Sequence, residues 1–247
     1  MPRVPHSASA LVLVLLACEV DEPATLCRTP LAQVALDGRV DDTDTNVRVE
    51  LAFRDVERSA VARSFCVDDE IRVNNRKATA IRRPSGDTVF ALDLSRAAAE
   101  YTIQLVRASD THTWKATFEV VPLEVIEPIQ GASISRADPI AVAWVDPTDA
   151  DRSISILVRD EIDGEDCFAA PYEAEVPDVG AAEVPAGVLT STSQLFDHTV
   201  TCDAFLELLR EQESALEVAA GEALHPESVV VAATARQVDF TSVPALP

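Results

Sequence analysis

The chain has 247 residues, 47% of them hydrophobic, which is enough to bury a core and too apolar for an intrinsically disordered chain. Its 42 acidic and 20 basic residues leave a net charge of −22, a field that repels nucleic acid and anionic lipid headgroups. Phosphate binding is therefore a poor hypothesis, and no nucleic acid is expected as a partner.

Residues 1–17 have the parts of an export signal. Arg3 and the free amine come first, followed by an apolar run from Ala8 to Ala17 of about ten residues, roughly 15 Å as a helix. A membrane span needs roughly 20 residues. The run closes on Leu15-Leu16-Ala17-Cys18, which resembles the lipobox of bacterial lipoproteins. The resemblance implies a signal peptide cut before Cys18 and acylation of Cys18, which makes the membrane a partner. Several acyl chains hold a protein on a bilayer almost permanently. Glu19 stands where some inner-membrane lipoproteins carry Asp, so the location implied is the cell envelope, with the outer membrane favoured. Residues 18–30 are acidic and proline-bearing and read as a tether.

Strand signals dominate after the tether. Asn46 to Phe53 alternates, with Val47, Val49, Leu51 and Phe53 on one side. Ile71-Arg72-Val73 and Ala78 to Ile81 flank Asn74-Asn75, a hairpin turn. Val89 to Leu94 is a short apolar run. Tyr101 to Arg107 and Trp114 to Val120 form the best hairpin, with Tyr101, Ile103 and Leu105 on one face and Trp114, Ala116, Phe118 and Val120 returning with period two. Pro122 breaks the series. A second series follows through Leu123 to Ile126, then Ile140, Val142 and Trp144, then Ile154, Ile156 and Val158, and closes through Val229 to Phe240. Residues 161–200, rich in Asp, Pro and small side chains, read as a long loop insert. Phe205, Leu206, Leu208, Leu209 and Leu216 suit a helical stripe ended by Gly221, so a short helix is expected near 203–220.

The expected fold is all-β: two tandem β-sandwich domains over residues 31–121 and 122–247. The hairpin at 100–121, with Tyr101 where a tyrosine corner would sit, resembles the closing strands of immunoglobulin or fibronectin type III-like sandwiches. Glu127-Pro128 to Trp144 resembles the opening of another such domain. The combination is similar to small two-domain lipoproteins of myxobacteria. It implies nothing about activity.

With Cys18 assigned to lipid, Cys27, Cys66, Cys167 and Cys202 remain, an even number that reads as disulfides in an exported chain. Three pairings are open. The local one, Cys27–Cys66 with Cys167–Cys202, puts one bridge in each half and closes loops of about 35 to 40 residues, worth up to about 4 kcal/mol each.

Chemistry-bearing motifs are sparse. His112, His198 and His225 are isolated, although Asp197-His198 lies near Cys202. Asp42, Asp44 and Asn46 alternate like the first half of a calcium loop, but Val47 and Phe53 stand where an EF-hand needs Gly and Glu. Calcium is accordingly the one candidate metal, and no resident cofactor is expected. Asp160, Glu161, Asp163, Glu165 and Asp166 read as solvated loop. Arg72, Arg76, Lys77, Arg82 and Arg83 form the only basic cluster. Trp114 and Trp144, inside alternating strands, read as core. The expected function is non-catalytic: a lipid-anchored envelope protein with a structural, adhesive or protein-interaction role. The partner would be a protein or a glycan. A calcium- or carbohydrate-binding module ranks second, and a carboxylate-dependent hydrolase third.

Overall fold

The computed structural model describes residues 25–43, 45–57, 61–145, 147–148, 151–160, 167–192 and 200–244. The signal segment and Cys18 lie outside them. The chain enters through a 3-10 turn, Leu31–Gln33, and runs directly into β1, Val34–Asp42. Asp37, Gly38 and Asp41 interrupt the apolar pattern of β1, which is why its sequence did not announce a strand. Gly38 is required by packing: a Cβ there would lie 2.8 Å from a Val230 methyl.

β2, Val47–Asp55, buries Val47, Val49, Leu51 and Phe53 as the alternation demands. β3, Glu70–Val73, and β4, Arg76–Lys77, form a two-residue hairpin. Asn74 and Asn75 take φ of 50° and 64°, values that this turn requires and asparagine tolerates. At buried Ala78 the chain changes layer, so the expected return strand is divided. Its second piece, β5, Thr79–Arg82, pairs with β6, Thr88–Leu94, in the opposite sheet. β7, Glu100–Val106, and β8, Thr111–Thr117, are the expected long hairpin. The Ala98 N–H donates to the Tyr101 hydroxyl at 3.1 Å, closing the corner that the resemblance implied.

Beyond Pro122 come β9, Val125–Glu127, β10, Ala132–Ser135, β11, Ile140–Trp144, and β12, Ser153–Asp160. The described part of 161–200 is not simply loop: it holds β13, Tyr172–Pro177, and β14, Ala181–Val184. In β13 half-buried Tyr172, Ala174 and Val176 alternate with exposed Glu173 and Glu175, too weak an apolar contrast to read as a strand. The helix expected near 203–220 is absent. Cys202–Ala215 is β15 and Glu217–Ala220 is β16. The final strand is β17, Val229–Val243.

Three sheets result. Nine strands form the largest, in the order β13-β12-β15-β17-β1-β2-β6-β5, with β10 also on β17. A five-stranded sheet, β16-β8-β7-β3-β4, covers one end of its inner face, and a three-stranded sheet, β14-β11-β9, covers the other. The first core packs Leu36, Val49, Leu51 and Phe53 against Ile71, Ile103, Leu105 and Trp114. The second packs Ile154, Ile156, Leu206 and Leu208 against Val142, Trp144 and Val184. Each fully buried aliphatic contributes about 1.5–3 kcal/mol. Leu26, from the segment expected to be tether, and Leu224 and Val230, from beyond residue 122, all lie in the first core.

β15 and β17 join the two ends. They pair antiparallel without a break, from Cys202 opposite Ser242 to Ala215 opposite Val229. On its other side β17 pairs first with β1, then with β10, parallel to both. The inward-facing side of β15 changes character along its length: Ala204, Leu206 and Leu208 are apolar, Arg210 and Gln212 are polar, and Ser214 meets the first core. The polar waist marks the boundary between the two cores within one strand. Gln212 holds the connecting segment there, donating to the Glu119 carbonyl at 2.9 Å and accepting from its N–H at 3.2 Å.

Candidate functional site

The four cysteines beyond Cys18 pair locally, Cys27 with Cys66 at a Cα separation of 4.8 Å and Cys167 with Cys202 at 5.9 Å. The proposed calcium residues are differently engaged. The Asp42 carboxylate and carbonyl both accept from the Arg236 guanidinium, at 3.2 and 3.1 Å, and Asn46 Oδ1 accepts from the Thr43 hydroxyl at 3.0 Å. Asp44 lies outside the described residues, as do Asp197, His198 and the acidic run from Glu161 to Asp166. Among the described residues no three His, Cys, Asp or Glu side chains gather at metal-binding separation.

His112 is buried, stacked on Trp114 with ring centroids 6.2 Å apart, and its Nδ1 accepts from the Glu222 N–H at 3.0 Å. Trp114 Nε1 donates to the Glu222 carbonyl at 2.9 Å. Together they clamp the turn at Gly221, whose φ is +83° and where a Cβ would lie 2.5 Å from His112 Nδ1. Both tryptophans are in the cores, so neither offers a ring face to a sugar. The basic cluster is dispersed, because the chain changes layer at Ala78. Arg72 and Lys77 meet Glu70 at 2.7 and 2.9 Å, and hydrogen bonds from Lys77, then Arg72, hold the Glu70 carboxyl below its ordinary range. Arg83 pairs with Glu50 on the other sheet.

One buried ion pair sits at the waist. Arg210, from β15, grips Asp178 with both arms, Nε to Oδ2 at 2.8 Å and Nη2 to Oδ1 at 3.1 Å. Trp144 Nε1 donates to Asp178 at 2.7 Å and Thr148 Oγ1 at 2.6 Å. Burial pushes the Asp178 carboxyl up, but hydrogen bonds from Arg210, Thr148 and Trp144 outweigh it and hold the group below its usual value. Arg210 Nη1 also donates to the Pro122 carbonyl at 3.0 Å, fixing the connection between the cores.

The outer face of the nine-stranded sheet is the remaining surface of interest. Over β1, β2 and their neighbours it is charge-balanced. Arg39 meets Asp41 and Glu211, Arg48 meets Glu50 and Asp93, and Arg54 meets Asp37 and Glu227. Over β13, β12, β15 and β17 it is not. The registers align two rows across the strands: Glu175–Ser155–Leu209–Ala235 and Glu173–Leu157–Glu207–Gln237. Among the described residues Arg159 is the cation on this part of the face, its guanidinium 4.6 Å above the Phe205 ring. Two adjoining grooves share Glu207. One, of about 410 Å³, is floored by Leu157 and Leu209 and rimmed by Glu173 and Glu175. The other, of about 350 Å³, is lined by Thr43, Thr45, Gln130, Gln237 and Asp239.

The chain matches no protein-family model and no curated protein. Among solved structures, Escherichia coli alpha-2-macroglobulin activated by porcine elastase aligns with 86% of this chain and 20% of its own, at 12% identity and a TM-score of 0.27. That likeness is too slight to carry a functional inference.

Leu209 fits the helical stripe expected near 203–220, within which Glu207 falls, and Glu173 and Glu175 fall in the expected loop insert, so sequence reasoning missed this face. The available signal was the alternation of Glu173 and Glu175 with Ala174 and Val176. Chemically, the rows form an apolar strip edged by carboxylates. Such a surface can bind by contact and charge.

Proposed function

We propose that the protein is a non-catalytic, lipid-anchored component of a bacterial cell envelope that works by protein contact, with the outer face of its shared sheet as the contact surface. The observation that carries this reading is the excess of carboxylates over cations on one half of that face, beside a half whose arginines pair with acids. The use of the buried ionisable groups supports it. Asp178 and Arg210 hold each other and the connection at Pro122. Arg136 donates to the Val200 carbonyl at 2.6 Å, and His112 binds the Glu222 backbone. General acid–base or nucleophilic chemistry needs such groups aimed at substrate, not at the backbone.

The anchor rests on the lipobox resemblance. Changing Cys18→Ser is expected to abolish incorporation of labelled fatty acid and leave the export signal uncut. A fatty-acid-labelled, correctly cut Cys18→Ser chain overturns the anchor.

A further inference from the structure

We infer that the unbalanced half of the outer face binds an extended, basic peptide segment of a partner protein, with alternating cationic and apolar side chains. The inference rests on the protein-contact reading above and names the chemistry of the partner.

Charge is the first argument. Glu173, Glu175, Glu207 and Asp239 surround the apolar strip, against one guanidinium among the described residues there, that of Arg159. Asp239 is engaged by Gln130 and Gln237, each at 2.9 Å, and Glu175 by the Ser153 hydroxyl. Glu173 and Glu207 have no cation at ion-pair distance among the described residues. On the adjoining half of the same face, arginines pair with acids within 3.4 Å. The contrast lies within one surface of one strongly acidic chain, so net composition does not explain it. Carboxylates clustered without counterions repel one another, and a cationic partner relieves that repulsion.

Apolar area and dimensions supply the rest. Leu157 and Leu209 are diagonal neighbours on β12 and β15, half-exposed in one groove, and none of the described residues covers them. From β13 to β17 is three inter-strand steps, about 14 Å, which matches four or five residues of extended chain at about 3.3 Å each. Successive side chains of such a segment point to opposite sides, and the row Glu173–Leu157–Glu207, which crosses the strands beneath it, sets a leucine between two carboxylates. A second copy of this chain would bring acid against acid, and an anionic membrane is repelled for the same reason.

The test uses the full chain and a fluorescein-labelled seven-residue peptide of alternating Lys and Leu, read by anisotropy at physiological salt. The Glu173→Gln/Glu207→Gln variant is expected to weaken binding about tenfold. Asp37→Asn/Glu227→Gln, which removes equal charge from the balanced half, is expected to change it less than twofold. A Lys–Ser peptide of the same charge is expected to bind at least tenfold more weakly. Equal losses in the two variants, or equal affinity for the two peptides, overturns the proposal as mere charge attraction. Hydrogen exchange on the unmutated chain gives an independent reading: protection by the Lys–Leu peptide is expected over Ser155–Leu157, Glu173–Glu175 and Glu207–Leu209, and protection elsewhere overturns the assignment. A native partner whose cross-links map to another surface leaves the protein-contact reading standing and removes this one.

Discussion

The two cores each bury one tryptophan in a strand facing the nine-stranded sheet, yet they satisfy its indole N–H by different means. Trp114 donates to the backbone carbonyl of Glu222 and stacks on His112. Trp144 donates to Asp178, a carboxylate that must itself be neutralised by Arg210. The first solution uses a neutral acceptor and a turn that only glycine fits. The second uses a charge pair in which Asp178 is 0% and Arg210 3% exposed. Similar sandwich halves can thus depend on backbone conformation in one case and on electrostatics in the other.

The largest expected effect breaks the second solution. Arg210→Ala leaves Asp178 buried and unpaired and is expected to cost about 3–5 kcal/mol in urea denaturation. Arg210→Met combined with Asp178→Leu removes both charges and is expected to recover most of that loss. A double variant as unstable as the single one would mean that geometry, and not charge, matters at the waist.

Next in size is the first solution. Gly221→Ala forces a side chain into a left-handed conformation and against His112. The expected cost is about 1–3 kcal/mol. Stability unchanged within experimental error would show that the turn can move away from His112 and that Trp114 does not depend on it.

The smallest effect separates the two by pH. The Asp178 carboxyl is held below its ordinary value in the folded chain, so its stabilisation is present above the unfolded value, about 3.9, and fades as pH falls through the folded one. Below about pH 4, Trp144 fluorescence, followed in a Trp114→Phe background, is expected to shift before that of Trp114, followed in Trp144→Phe. Coincident titrations would erase the distinction between the cores.

Much of the fold was legible in the residues that face one way. The alternations at 47–53, 101–105 and 154–158, and the Asn74-Asn75 turn, placed strands correctly because one face is apolar and the other polar. β15 was not legible for the opposite reason. Leu206 and Leu208 face the second core, while Phe205 lies under Arg159 and Leu209 floors a groove. A strand apolar on both faces has no period of two, and its side chains fit a helical stripe equally well. Arg210 and Gln212 then interrupt it, since their role at the waist depends on partners distant in sequence. The outer-face site was hidden in the same way, because Glu173, Leu157, Glu207 and Gln237 become neighbours only through strand pairing.

The bridge between Cys27 and Cys66 has a mechanical consequence. Tension applied upstream of residue 25 reaches Cys27 and there divides along two covalent routes. One continues along the chain into β1 of the nine-stranded sheet, and the other crosses the sulfurs to Cys66, just ahead of β3 in the five-stranded sheet. Both layers of the first sandwich are therefore pulled together, and neither is peeled from the other. A pull entering through such a fork is shared between two inner strands, one in each layer.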